Sequence, residues 1–317
     1  MSRIVMRPGL NQGRGAFVIG ALAASLVIGA CGSGQPAGSA TPTPNPDAIP
    51  VSATTTVFTD LVAQVGGTRV RATSLVPKGG EVHTFDPGPA DIQNVADAKL
   101  IVRNGLGLDD WLESLVHDAG TTAPVVALGE NLDGVSYLQA DDGTVNPHLW
   151  MDVAYTERYV ERIAEALARI DPAGAQVYRD RAAAYNATLA ELDTSIRDRL
   201  AAIPPTDRVV VSFHDAFPYF AAAYGLTIAG NIVNVPGQDP SAGQVAALVD
   251  SIRSSGVSAI FAEAQFNDAL AVTIADETGV PVVTDLFTGT LGDPPADTYV
   301  GMMTWNTDRI VSAITGS

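Results

Sequence analysis

Three histidines and one aspartate of this 317-residue chain occupy positions where side chains can do chemistry. His214 follows the apolar run VVVSF, and Asp285 follows VVT in the same way. His148 lies in the turn sequence NPHLW, and His83 lies in the glycine-rich loop GGEVHTF. In open α/β sheets ligands bind beyond the carboxyl ends of the strands, and imidazole and carboxylate groups are ligands of transition metals. The four residues are far apart in sequence, however, so their spacing alone does not diagnose a metal site.

The fourth histidine, His117, has a different setting. It lies near the C-terminal end of a predicted helix, where a cation interacts favourably with the helix dipole. We therefore expect a structural role for His117.

The elements that must position these side chains alternate along the chain. Short β-branched runs and helical stretches follow one another, a pattern that predicts parallel sheets covered by helices on both faces. The predicted strands are residues 51–58, 69–75, 100–102, 125–128, 208–213, 226–229, 259–262 and 282–284. The predicted helices include residues 60–65, 90–96, 108–117, 154–170, 244–254, 268–278 and 299–315.

A long helical stretch, residues 171–203, separates the two sets of strands. An Asp-Pro pair starts it, a Pro-Pro pair follows it, and an apolar stripe with helical spacing runs along it. A helix of this length spans roughly 45 Å. We predict a rigid strut that joins an N-terminal α/β lobe, residues 51–170, to a C-terminal α/β lobe, residues 204–317.

The N-terminus predicts export. Residues 1–30 carry three arginines followed by a short apolar segment, which is typical of a signal peptide. The sequence IGAC resembles a bacterial lipobox, which would make Cys31 the lipid-bearing first residue of the mature chain. Residues 31–50 are rich in Gly, Ser, Thr and Pro and predict a flexible tether. We expect the folded body to be anchored at the outer face of the cytoplasmic membrane.

Composition excludes several classes of function. Cys31 is the only cysteine, so a disulfide within the chain, a multi-cysteine metal site and a thiol redox pair are all excluded. The formal net charge of -17 argues against nucleic-acid binding. It is compatible with cation binding or with simple solubility.

The motifs around the histidines resemble those of the solute-binding lipoproteins of zinc/manganese-type ABC transporters, over residues 51–314. The matching sequences are the loop of His83, NPHLWMD, SFHDAFPYF, the pair Thr284-Asp285 and the closing stretch 299–306. The resemblance implies a metal site in the cleft between two lobes, which are joined by an interdomain helix. It also implies a monomer that delivers its ion to an ABC permease.

By this resemblance, the metal ligands are His83, His148, His214 and Asp285. Three nitrogens and one carboxylate suit tetrahedral zinc, with manganese second and iron a further competitor. The resembled proteins that prefer manganese often have Glu at the position of His214. Glu263 is the second-ranked carboxylate, and Asp215 is expected to orient a ligand from outside the shell.

Two residues depart from the family pattern. Val82 stands where a proline usually precedes the first histidine, and Asn146 stands where an aspartate is usual. Neither change replaces a ligand, but Asn146 removes a carboxylate that could orient a neighbouring one.

Two other classes of function stay open on the residues alone. In a zinc-dependent hydrolase, three histidines would hold a metal-bound water, with Asp215 or Glu263 as general base. In an adhesin or surface scaffold, the metal would be structural. The lipobox, tether, two lobes and strut favour a carrier that is not an enzyme.

Overall fold

Two four-stranded parallel sheets form the frame of the molecule. The first has the order β2-β1-β3-β4 and the second the order β6-β5-β7-β8, so both sheets share one topology. The strands are β1 (Ile49–Ala53), β2 (Val70–Ser74), β3 (Leu100–Arg103), β4 (Val125–Ala127), β5 (Val209–Ser212), β6 (Thr227–Asn231), β7 (Ala259–Glu263) and β8 (Val282–Leu286). This arrangement, with the long helix described below, confirms the predicted fold class.

The computed structural model describes residues 45–140, 143–234 and 236–316. Residues Thr43–Ser317 form one compact unit that contains both sheets. The predicted signal peptide, Cys31 and the tether up to residue 44 lie outside the described residues. Within the described part, no helix is both long enough and apolar enough to cross a bilayer.

Helices cover both sheets, as parallel strands with two buried faces require. All five residues of β7 are buried, as are the first three of β3. The helices are α1 (Thr56–Gly66), α2 (Pro89–Asp97), α3 (Trp111–Ala119), α4 (Val153–Ile170), α5 (Ala175–Ala201), α6 (Pro218–Tyr224), α7 (Ala242–Ser255), α8 (Ala269–Thr278) and α9 (Tyr299–Thr315).

The long helix α5 has 27 residues and a length of about 40 Å. It begins at Ala175, later than predicted, because the Asp171 side chain accepts a hydrogen bond from the Gly174 amide and closes a short 3-10 turn first. Leu189, Leu192, Ile196 and Leu200 are buried, as the apolar stripe predicts. The helix packs on α1 and α4 of the first lobe and on α6 and α9 of the second.

The predicted first strand, residues 51–58, is wrong in its second half. The strand ends at Ala53, and the Thr55 hydroxyl accepts a hydrogen bond from the Phe58 amide as the N-cap of α1. A threonine run has high strand propensity, but threonine also caps helices. Here the cap prevails because the residues after it bury a helical stripe that includes Val57, Leu61 and Val65.

Candidate metal centre

Three loops at the carboxyl ends of the strands bring His83, His148 and His214 together. His83 lies between β2 and α2, His148 precedes the 3-10 turn before α4, and His214 lies two residues after β5. Each histidine offers a ring nitrogen, and these three nitrogens lie within 4.8 Å of one another. Two of the rings belong to the first lobe and one to the second, so the group spans the cleft.

The closest pair of nitrogens has the separation that one ion requires. The Nε2 atoms of His83 and His148 are 3.3 Å apart. With metal–nitrogen distances of 2.0–2.1 Å, two ligands of a tetrahedral ion stand about 3.3–3.4 Å apart. The two rings are therefore spaced as ligands of a single ion.

Asn146 fixes the tautomer of His148. The amide Nδ2 of Asn146 donates to the carbonyl and to Oδ2 of Asp215, so its Oδ1 is the atom that faces His148. An amide oxygen only accepts hydrogen bonds. His148 Nδ1, 3.0 Å from that oxygen, must therefore carry the ring proton. Nε2 of His148 then presents a lone pair toward His83.

Burial keeps two of the three rings neutral. His148 is 4% exposed, and desolvation holds its pKa well below the ordinary value. Desolvation, with a smaller contribution from His214, lowers the pKa of His83 to about 3. Neutral imidazole is the form that binds metals, so both rings are ready to bind at neutral pH.

His214 and Glu263 form a buried pair of a different kind. Glu263 ends β7 at 0% exposure, and its Oε1 is 2.7 Å from Nδ1 of His214. The two atoms are close but not aligned for a hydrogen bond, and neither has another partner among the described residues. Burial opposes protonation of His214, but the carboxylates of Glu263, Glu81 and Asp215 outweigh it and raise its pKa. A buried carboxylate requires a positive partner, here a proton on His214 or a metal ion.

Glu81 is a second carboxylate at this centre, and the sequence analysis missed it. Its Oε1 accepts a hydrogen bond from the His83 amide at 2.8 Å and lies 4.0 Å from His83 Nε2. Burial raises the pKa of Glu81, and the negative charge of Glu263 raises it further. The only signal in the sequence was its place two residues before His83 in the same loop.

Asp285 lies apart from the three histidines in this structure, although the resemblance made it a ligand. Its Oδ2 pairs with Arg309 Nε of α9 at 3.0 Å, and its side chain is 43% exposed. The predicted strand ended at Thr284, whereas β8 extends to Leu286. Asp285 thus lies inside the strand instead of beyond its end, and its side chain faces α9.

Two further residues singled out in the sequence lie at different distances from this centre. Asp215 accepts hydrogen bonds from the amides of Asn146 and Asn231 beside the histidine group. His117 lies in the last turn of α3 with its side chain 88% exposed, next to Asp118. A cavity of about 500 Å³ opens from the three histidines and is lined in part by Asn231 and Gln238.

Comparison with known proteins identifies the family. The family model described as ZnuA, zinc-uptake complex component A periplasmic, matches residues 51–313, which is most of the chain. The chain belongs to this family. Its members are the metal-binding, substrate-binding proteins of ABC transporters.

Individual relatives support the assignment over nearly their whole lengths. The chain is 34% identical over 260 residues to the manganese-binding lipoprotein MntA of Halalkalibacterium halodurans, covering 81% of this chain and 86% of that protein. It is 28% identical over 307 residues to the iron ABC transporter substrate-binding lipoprotein MtsA of Streptococcus pyogenes serotype M1, covering 94% and 97%. The solved periplasmic zinc binding protein TroA from Treponema pallidum shares the fold with a TM-score of 0.77 at 27% identity, covering 83% of this chain and 98% of that one.

Membership in this family decides between the carrier and the hydrolase that the residues left open. The ZnuA-family chain is a binding protein of a metal transport system and not an enzyme, and the hydrolase reading has no support. Its relatives include substrate-binding lipoproteins of iron and metal ABC transporters.

Proposed function

We propose that this chain captures zinc outside the cytoplasmic membrane, through His83, His148, His214 and Glu263, and hands the ion to an ABC permease. The observation that carries the proposal is the group of three largely buried imidazoles whose nitrogens lie within 4.8 Å of one another, with the buried carboxylate of Glu263 2.7 Å from Nδ1 of His214. In this ligand set Glu263 replaces Asp285, which the family resemblance implied as the fourth ligand.

The donor set favours zinc. Three nitrogen ligands and one carboxylate suit a borderline ion, whereas calcium and magnesium prefer shells of oxygen. The named cargo of the relatives includes manganese and iron, so manganese is the second candidate. Glu81, 4.0 Å from His83 Nε2, supplies a second negative charge to offset the dication.

The physiological ion is tested by metal analysis and competition. Protein purified without chelator should contain zinc at about one ion per chain, and zinc should displace manganese in a titration with both ions. Manganese retained against an excess of zinc would overturn the choice of metal.

The ligand residues are tested by a matched pair of variants. His214→Ala removes a buried ring at the centre and should abolish tight zinc binding. His117→Ala removes an exposed ring on α3 and should leave binding unchanged. Equal zinc affinity of His214→Ala and the parent would remove the basis of the proposal.

A carrier must also release its ion without unfolding. Zinc withdrawn by a strong chelator should leave circular dichroism in the far ultraviolet unchanged and should rebind fully. Unfolding on removal would instead indicate the structural metal of a scaffold.

The lipid anchor and the monomeric state belong to the same proposal. We propose that Cys31 carries the lipid, because the only cysteine falls at the position that a lipobox requires. Labelling of cells with a fatty-acid analogue should mark the parent and not Cys31→Ser. Light scattering of the zinc-loaded soluble body should give the mass of one chain.

A further inference from the structure

We propose that Asn146 is the positioning residue that locks the ligand loops of the two lobes together, and that this chain requires a carboxamide there. The inference rests on the proposed function. It concerns a position at which the resembled proteins usually carry a carboxylate.

Asn146 uses every hydrogen-bonding group of its side chain. Its Oδ1 accepts from the backbone amide of His148 and from the ring Nδ1, both at 3.0 Å. Its Nδ2 donates to the carbonyl of Asp215 at 2.7 Å and to the Asp215 carboxylate at 2.9 Å. The residue is 1% exposed, so water cannot replace these partners.

These bonds join the two halves of the metal centre. His148 belongs to the first lobe, whereas Asp215 follows His214 in the second. A second bond across the cleft fixes the backbone of the same residue, because the Tyr219 hydroxyl of α6 donates to the Asn146 carbonyl at 3.0 Å. Asn146 therefore links the direction of one ligand ring to the position of the loop that carries another.

The network continues to the backbone of the second ligand. Asn231 Nδ2 donates to the other oxygen of Asp215 at 3.2 Å. The Ser212 hydroxyl lies 2.6 Å from Asn231 Oδ1 and 2.9 Å from the carbonyl of His214, and its single proton serves one of them at a time. Asp215 is thus held between two amides, and its loop is fixed on both sides.

A carboxylate at position 146 would still orient His148, but it could not donate hydrogen bonds to Asp215. It could still accept the ring proton of His148. It would also face a carbonyl and a carboxylate of Asp215 at under 3 Å with no proton between them. Unpaired acceptors and like charges at this distance are costly when buried. The amide is the group that accepts on one side and donates on the other.

Zinc titration of Asn146→Asp against a chromophoric chelator tests the inference. We expect a loss of about 10- to 100-fold in zinc affinity, the range found when a group that orients a metal ligand is changed. Asn131→Asp makes the same change at an exposed position and should bind zinc like the parent.

The decisive measurement is rescue by exchange of the pair. Asn146→Asp combined with Asp215→Asn restores a donor opposite the new carboxylate and should recover most of the lost affinity. A generally damaged fold would not recover in this way. Parental affinity of Asn146→Asp, or a double variant no better than the single one, would overturn the inference.

A second variant covers the case in which Asn146→Asp fails to fold. Asn231→Asp presents a carboxylate to Asp215 from the opposite side, in a half-buried setting. It should lose affinity and regain it with Asp215→Asn, and the absence of either effect would contradict the inference. A parent chain that binds no zinc would instead refute the proposed function.

Discussion

Glu263 is the residue whose role the structure changes most. It is fully buried, it lies against His214 Nδ1 without hydrogen-bond geometry, and it has no other partner among the described residues. Because the buried carboxylate is shielded from water, its negative charge strongly attracts a cation. In the proposed function it therefore contributes a ligand atom and also the charge that raises the pKa of His214.

Glu263→Gln tests this role while preserving the shape of the side chain. We expect zinc affinity to fall by at least about tenfold, or about 1.4 kcal/mol, because an amide oxygen is a neutral and weaker ligand. Isothermal titration calorimetry measures the change. Glu277→Gln, on the exposed face of α8, is the matched control, and an equal affinity in both variants would contradict the assignment.

The protonation states of the three histidine rings predict how zinc affinity depends on pH. The lowered pKa values of His83 and His148 keep both rings neutral, so they release no proton at neutral pH. The pKa of His214 is raised, mainly by Glu263 against the effect of burial. Zinc must displace that proton, so affinity should fall as pH drops through the raised value.

The number of protons released is the direct measurement. Titrations in buffers of different ionisation enthalpy should show about one proton released per zinc near neutral pH, and fewer at higher pH. The count should decrease in Glu263→Gln, because His214 then loses the carboxylate that raises its pKa. Release of two or more protons at neutral pH would show that His83 or His148 is charged in the free protein.

Among the secondary-structure elements, helix α5 connects the two lobes. Its buried stripe packs against helices of both lobes. Leu189 is fully buried within that stripe. Leu189→Ala should lower the free energy of unfolding by about 2–5 kcal/mol, the usual result of truncating a buried leucine.

Urea denaturation of the metal-free protein measures that change. Thr188→Ala, one residue away on the exposed side of the helix, should change stability by less than about 0.5 kcal/mol. Leucine and threonine variants of equal stability would mean that the lobes do not depend on this stripe.

The elements also show what sequence could and could not predict. The parallel sheets followed from the alternation of strands with helices, and the three histidines could be expected to meet because loops after parallel strands share one edge of a sheet. The choice of the fourth ligand, Asp285 by the resemblance and Glu263 in the proposed function, depended on where two strands end. The predicted strands stopped at Ala262 and Thr284, but β7 includes Glu263 and β8 continues past Asp285.

Periodicity fixes strand ends only to within a few residues, and neighbouring side chains of a strand point to opposite faces. A small error therefore exchanges a carboxylate in the site for one on the surface. Glu81 escaped notice for a related reason, since the direction of a loop side chain depends on contacts with distant residues. The hydrogen bond between Asn146 and Asp215 joins residues 69 positions apart, so no local sequence pattern predicts it.

Within the molecule as a whole, several hydrogen bonds hold the two lobes together. Trp150 Nε1 donates to the Thr288 carbonyl at 2.7 Å, and the Tyr299 hydroxyl donates to the Trp150 carbonyl at 2.8 Å. The Tyr299 amide donates to the Asp60 carboxylate, also at 2.8 Å. Wide opening of the cleft would break these bonds and expose the apolar faces of α5 and α9, so we expect the lobes to move little when the ion binds or leaves.

Spin labels on the two lobes measure this motion directly. The single natural cysteine makes the labelling simple: Cys31→Ser removes it, and Ser114→Cys and Ala247→Cys add exposed sites on α3 and α7. The distance distributions of the metal-free and zinc-loaded forms should overlap, because release needs only local shifts of the ligand loops. A shift wider than the metal-free distribution would show hinge closure, and the strut and the bonds around Trp150 and Tyr299 would then have to yield during each transport cycle.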